Sequence, residues 1–174
     1  MDTLINRQLK PELTERLNAA AGADGPILFT IVGDISDKAH YSHVALAVCA
    51  ESFFTYSFDS DERSCSYRIS DVKEIYNKRM YGNGVMRVRF DGGETKDVYR
   101  FTFAVAALCD AAVYFVKAIR DGTPLDEALG SIEATYEKQL SVCPKCGRTL
   151  SAPGVKCINC ESKRKIIARL AKYM

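Results

Sequence analysis

Two cysteine pairs near the end of the chain constrain it more tightly than any other stretch. Cys143-Pro144-Lys145-Cys146-Gly147 and Cys157-Ile158-Asn159-Cys160 form two C-x-x-C pairs, with ten residues between them and Gly147, Pro153 and Gly154 as turn formers. A C-x-x-C turn reverses the chain tightly, so both sulfurs converge on one point. Two such turns facing each other supply a tetrahedron of thiolates, the closed coordination of a structural Zn2+. Cys143, Cys146, Cys157 and Cys160 are therefore the expected ligands of one zinc ion. Four sulfurs leave no open position for a hydrolytic water. The other reading, redox pairs or disulfides, lacks the strand–CxxC–helix context of a redox motif. A module of about 20 residues buries too little surface to fold without such a staple.

Composition places the rest. The 174 residues suffice for one medium domain plus a small module, and 47% hydrophobic with 26% charged content is that of a soluble globular protein. The net charge of +2 is unevenly spread. From Glu161 on, Lys163, Arg164, Lys165, Arg169 and Lys172 stand against one acid, giving the tail +4 and leaving −2 for residues 1–160. No signal-peptide pattern opens the sequence and no run approaches the ~20 apolar residues of a membrane span, so a cytoplasmic location is expected. Cys49, Cys65 and Cys109 lie in apolar or alternating segments without an adjacent base and read as small core residues.

Along the chain, residues 10–21 read as a short amphipathic helix with Leu13, Leu17 and Ala20 or Ala21 on one face, Pro11 near its start and Gly22 at its stop. Strands are expected at 27–34, 40–50, 53–59 and 63–69, from their apolar runs or alternation. Residues 75–81 and 85–90 flank Gly82-Asn83-Gly84. Asn-Gly tolerates the positive φ of a tight hairpin turn, so these segments should pair. Asp91-Gly92-Gly93 is a second turn, and 96–103 returns as a seventh strand. The period then changes. Residues 103–120 carry a broad apolar face ending at Gly122, and 125–140 carry the stripe Leu125, Leu129, Ile132, Tyr136 and Leu140 behind Thr123-Pro124. Residues 162–173 read as a basic helix. The expected class is α+β: a seven-stranded antiparallel barrel or sandwich plugged by a helix. The expected divisions are 1–122, a linker helix at 123–141, the zinc ribbon at 142–161 and the basic helix at 162–174.

Three pieces together resemble a known family. They are the cysteine segment followed by Lys163-Arg164-Lys165 and Leu170-Ala171-Lys172-Tyr173, the hairpin Tyr81-Gly82-Asn83-Gly84-Val85, and a short helix before Gly25-Pro26-Ile27-Leu28-Phe29 and Val32-Gly33-Asp34. This order is similar to the N-terminal cytoplasmic extension of certain bacterial ATP-binding-cassette exporters. There a pleckstrin-homology-like domain and a four-cysteine zinc ribbon precede the first transmembrane helix and the ATPase domain. The resemblance implies a regulatory or assembly role, with the rest of the transporter chain and a second copy as partners. It also implies a soluble fragment that stops before the membrane, on its cytoplasmic side. The sequence departs from the whole exporter in having no G-x-x-x-x-G-K-[ST] phosphate loop and no membrane span, so neither ATP hydrolysis nor transport is expected of these residues. The basic residues Lys163, Arg164, Lys165, Arg169 and Lys172 would then face anionic head groups next to a span, at about 1 kcal/mol each.

Other features weigh less. A free-standing ribbon adaptor binding nucleic acid or protein is the alternative, but residues 147–156 hold two basic side chains and no aromatic, which disfavours nucleic acid. An anionic-lipid-binding module is another. Lys78, Arg79, Arg87 and Arg89 would serve it, although Arg87 and Arg89 alternate with apolar residues as a solvated sheet face does. His40 and His43 fall on opposite faces of a strand and cannot chelate jointly. Asp59, Asp61 and Glu62 read as a solvated acidic turn without calcium-loop spacing. No paired carboxylates or nucleophile–base constellation suggests an enzyme.

Overall fold

The computed structural model describes residues 9–36, 40–64 and 66–140, and in the tail Cys143, Cys146, Arg148, Leu150, Val155, Cys157 and Cys160. The expected basic helix at 162–174, with Lys163, Arg164, Lys165, Arg169 and Lys172, lies outside the described residues, as does Cys65. Two compact units divide at Ile132/Glu133.

The first unit begins with α1, Pro11–Ala21, with Pro at its first turn where the missing N–H costs nothing. Its apolar face sets Leu17 and Ala21 into a core with Ala45, Ala47, Cys49, Phe54 and Tyr56, with Leu13 and Ala20 at the margin. The strands β1 (Ile27–Ile35), β2 (Tyr41–Cys49) and β3 (Ser52–Ser57) form an antiparallel meander. β2 is central and buried on both sides from Val44 to Cys49. Its small residues explain one side. Ala45, Ala47 and Cys49 leave depth for the side chains of α1, while Val44, Leu46 and Val48 share the other face with Phe29 and Ile31.

One expected strand, 63–69, is instead two short ones, β4 (Glu62–Arg63) and β5 (Tyr67–Arg68), both paired with β3. At the break, the Thr55 N–H is satisfied by Ser64 Oγ at 2.8 Å rather than by a backbone carbonyl. A serine side chain thus competes with the ladder.

A second sheet holds β6 (Val72–Arg79), β7 (Gly84–Phe90) and β8 (Thr95–Phe101) in hairpin order. The first hairpin pairs as expected, but Asn83-Gly84 is not its turn. Met80 N–H donates to Asn83 O at 2.8 Å across Tyr81-Gly82, and the positive φ (75°) belongs to Gly82. Gly84 already lies in β7, where a Cβ would run into the ring of Phe101. Its role is close approach, not turn conformation.

The described strands form two separate ladders rather than one closed barrel. Side chains join the corners instead. Tyr99 Oη of β8 donates to Ile31 O of β1 at 3.0 Å, reaching over Gly33, where any Cβ would collide with that hydroxyl. On the other side Tyr67 lies between Phe53 and Phe90, with ring centroids 5.6 and 5.5 Å away. Helix α2 (Ala106–Arg120) follows a single 3-10 turn at 103–105 and buries Leu108, Cys109, Ala112, Phe115 and Val116. Phe115 meets Phe29 edge-on at 5.1 Å. α2 also ties to β6 through Arg120 Nη1 donating to Lys73 O and Asn77 Nδ2 donating to Asp110 Oδ1. Gly122, at φ 87°, terminates it while Thr123 N–H reaches back to Ala118 O.

Helix α3 (Leu125–Leu140) runs from the first unit into the second. Its buried line is Ala128, Ile132 and Tyr136, at i, i+4 and i+8. The expected stripe is thus rotated at its start: Leu125 is exposed, Leu129 half-buried, and small Ala128 takes the inward position. The Leu140 side chain lies outside what is described. No described helix is long and apolar enough to cross a membrane.

Candidate metal centre

The four cysteine sulfurs converge. Cys143, Cys146, Cys157 and Cys160 lie with their Sγ atoms all within 4.8 Å of one another, from two chain segments separated by ten residues. Cys143 Sγ is 3.7 Å from Cys160 Sγ, and Cys146 Sγ is 3.5 Å from Cys157 Sγ. A regular tetrahedron with metal–sulfur bonds of about 2.3 Å has edges of about 3.8 Å, so this thiol set is the size a zinc ion needs. No disulfide joins these residues. Backbone bonds shape both knuckles: Cys143 N–H donates to Arg148 O at 2.8 Å and Cys160 N–H to Cys157 O at 3.1 Å. Cys143 and Cys157, the first cysteine of each pair, are buried, whereas Cys146 is exposed.

The sulfurs also share protons unevenly. A backbone hydrogen bond from Arg148, then hydrogen bonds from the Cys160 and Cys157 thiols, bring the Cys146 thiol down to about 6. Hydrogen bonding toward Cys146, followed by burial, pushes Cys160 up to about 12. The Cys146 sulfur readily becomes a thiolate while Cys160 holds its proton. A divalent cation that displaces those protons relieves the crowding of negative charge, and couples its own binding to the folding of the two turns. Sulfur donors of this number and spacing fit zinc, and all four positions are the ones the spacing selects.

The remaining candidates are placed differently. Cys49 and Cys109 are fully buried, and burial pushes both thiols up, as small core residues require. His43 packs its ring against Phe58 at 4.9 Å, and His40 lies at the margin of a cavity of about 550 Å3 in the first unit. Hydroxyls from Ser42, Thr55, Ser57 and Tyr99 line that cavity. Several of its charged side chains are already engaged. Asp59 accepts from His43 N–H and Ser42 Oγ, Asp97 from Arg87, and Arg63 donates to Asp24.

The acidic turn is solvent-exposed, as expected, but it is also tethered. Asp61 holds a positive φ of 56° and accepts hydrogen bonds from Arg16 and Tyr56, fastening α1 to the turn after β3. Sequence reasoning missed this because Arg16 is 45 residues away in the chain. Arg87 pairs with Asp97 and Arg89 with Glu74, so both belong to a cross-strand charge ladder on the sheet face.

No protein-family model matches the chain, and none of the curated proteins matches it.

Proposed function

We propose that this chain is a non-catalytic module, held together at its C-terminal end by one structural zinc, that serves as the cytoplasmic regulatory or assembly part of an ATP-binding-cassette exporter. The convergence of Cys143, Cys146, Cys157 and Cys160 on one point carries the reading, because a closed four-sulfur site is a staple and not a reaction centre. Two antiparallel sheets followed by a buried helix are in keeping with a pleckstrin-homology-like domain, with eight described strands in place of seven. The order of parts supports the transporter assignment: short helix, sheets, capping helix, connecting helix, cysteine cluster, then the basic segment from Lys163. When bound, zinc supplies a rigid crosslink between the two knuckles; the chain supplies the sulfurs and the backbone hydrogen bonds that aim them.

Two measurements test this. Metal analysis of the purified chain should give one zinc per molecule; well under one, with the fold around the cysteines unchanged after chelation, would sink the staple. Affinity purification from the native cells, using an antibody to the sheets, should recover these residues in the membrane fraction with a transport ATPase. Recovery in the soluble fraction, alone, removes the transporter assignment and leaves the zinc reading standing.

A further inference from the structure

The most exposed side chain among the large hydrophobic residues described is Tyr81, at 104% of its reference accessibility, and its neighbour Met80 is 45% exposed. Both sit on the two-strand hairpin where β6 turns into β7, with Tyr81-Gly82 as the turn. At the outermost point of the hairpin Tyr81 buries nothing, and Met80 leaves nearly half of its surface to solvent. The charges beside this tip are mostly cationic, with Asp97, held by Arg87, as the carboxylate that Lys78 and Arg100 face. Lys78 and Arg79 make no ion pair among the described residues, in contrast to Arg87 and Arg89 further along the same sheet. Arg100 adds a third cation, donating from Nη1 to Asn83 Oδ1 at 3.0 Å and lying 4.0 Å from Met80 Sδ, so it braces the turn from β8. From Lys78 to Gly84 there is no acid.

These observations order the chemistry by depth. The tip carries a tyrosine and a methionine, and the cations of β6 sit one to three residues back. That order matches a membrane interface, where an amphipathic ring settles at head-group level and lysine and arginine lie on anionic phosphates. An acidic protein surface would match the cations but leave Tyr81 and Met80 needing a separate pocket. We infer that the β6–β7 hairpin is a docking element for an anionic membrane surface, inserting Tyr81 and Met80 while Lys78 and Arg79 engage the head groups and Arg100 braces the turn. This contact is separate from the basic segment 162–174 and does not depend on the transporter reading.

The chain contains no tryptophan, so Tyr81→Trp installs a unique reporter at the tip. With the full chain carrying Tyr81→Trp and vesicles of phosphatidylcholine with phosphatidylserine, the emission of the introduced indole should shift to the blue and be quenched by brominated lipid. Pure phosphatidylcholine should give little shift. Adding Lys78→Gln and Arg79→Gln should weaken the partitioning reported by that indole about 30-fold, from about 1 kcal/mol per cation. A control with Tyr114→Trp, on the exposed surface of α2, should stay unshifted. If the chain sediments with anionic vesicles while the emission of the Tyr81→Trp variant does not move, the basic tail alone binds and the inference is overturned. No binding at all, or an equal shift on neutral vesicles, overturns it too.

Discussion

Among single residues, glycines and aspartates carry the information that spacing alone does not. Gly84 and Asn83 look like a turn pair, yet Gly84 exists to let Phe101 cross the strand and Gly82 supplies the positive φ. Gly84→Ala should therefore destabilise the first unit by about 1–3 kcal/mol, as overpacking does. Gly82→Ala should cost about 1 kcal/mol through backbone strain alone, there being open space around it. Urea denaturation separates the two, and the reverse ranking would restore Asn83-Gly84 as the turn. The aspartates set the acid limit. The His43 N–H, then the Ser42 hydroxyl, hold Asp59 below the usual carboxylate range. Tyr56 and then Arg16 do so for Asp61, and Arg87 for Asp97. A carboxyl whose folded pKa is depressed stabilises the fold fully above its unfolded pKa, about 3.9, and loses that contribution as pH falls through the folded value. The urea midpoint should be flat from about pH 7 to 5 and fall below about pH 4. Asp59→Asn should lower it at neutral pH, with the gap to wild type narrowing in acid.

For the secondary-structure elements, periodicity located the helices and strands, and tertiary contacts decided which face each one buries. The apolar residues of α3 are compatible with a stripe through Leu125, but the helix turns Ala128 inward and leaves Leu125 exposed. Ile132→Ala should cost about 2–5 kcal/mol, whereas Leu125→Ala should stay within about 0.5 kcal/mol of wild type. Equal effects in thermal or urea unfolding would contradict this orientation. In the same way, alternation across 63–69 predicts one strand. Nothing local says that the Ser64 hydroxyl takes the Thr55 N–H and divides it. The small residues of β2 were legible as a face, but what makes Ala45, Ala47 and Cys49 necessary is the bulk of α1 resting on them.

Taken whole, the chain consists of one unit that holds itself by buried apolar side chains and another in which four cysteines are placed to hold a metal ion. Chelation should therefore act on one and spare the other. A strong zinc chelator should render the four thiols of the cysteine cluster reactive toward a thiol reagent. Meanwhile the cooperative unfolding of the first unit, followed by near-ultraviolet circular dichroism of its tyrosines and phenylalanines, should keep its midpoint. Loss of both signals together on chelation would show that the first unit depends on the metal as well.

The four converging cysteines could be named before any fold was in hand, because a four-sulfur cluster requires only residue type and the short reach of a C-x-x-C turn, both of which are written locally. The hairpin order and the switch from strand to helix near residue 103 were equally legible, since periods of 2 and 3.6 are local properties. How the two sheets meet was not: that rests on Tyr99 over Gly33 and on Tyr67 between Phe53 and Phe90. Nor did the sequence tell which charges are paired, as Arg87 and Arg89 are, and which, like Lys78 and Arg79, make no ion pair among the described residues. Those outcomes depend on side chains brought together from separate segments, and a pairing between distant side chains leaves no period for a single sequence to display.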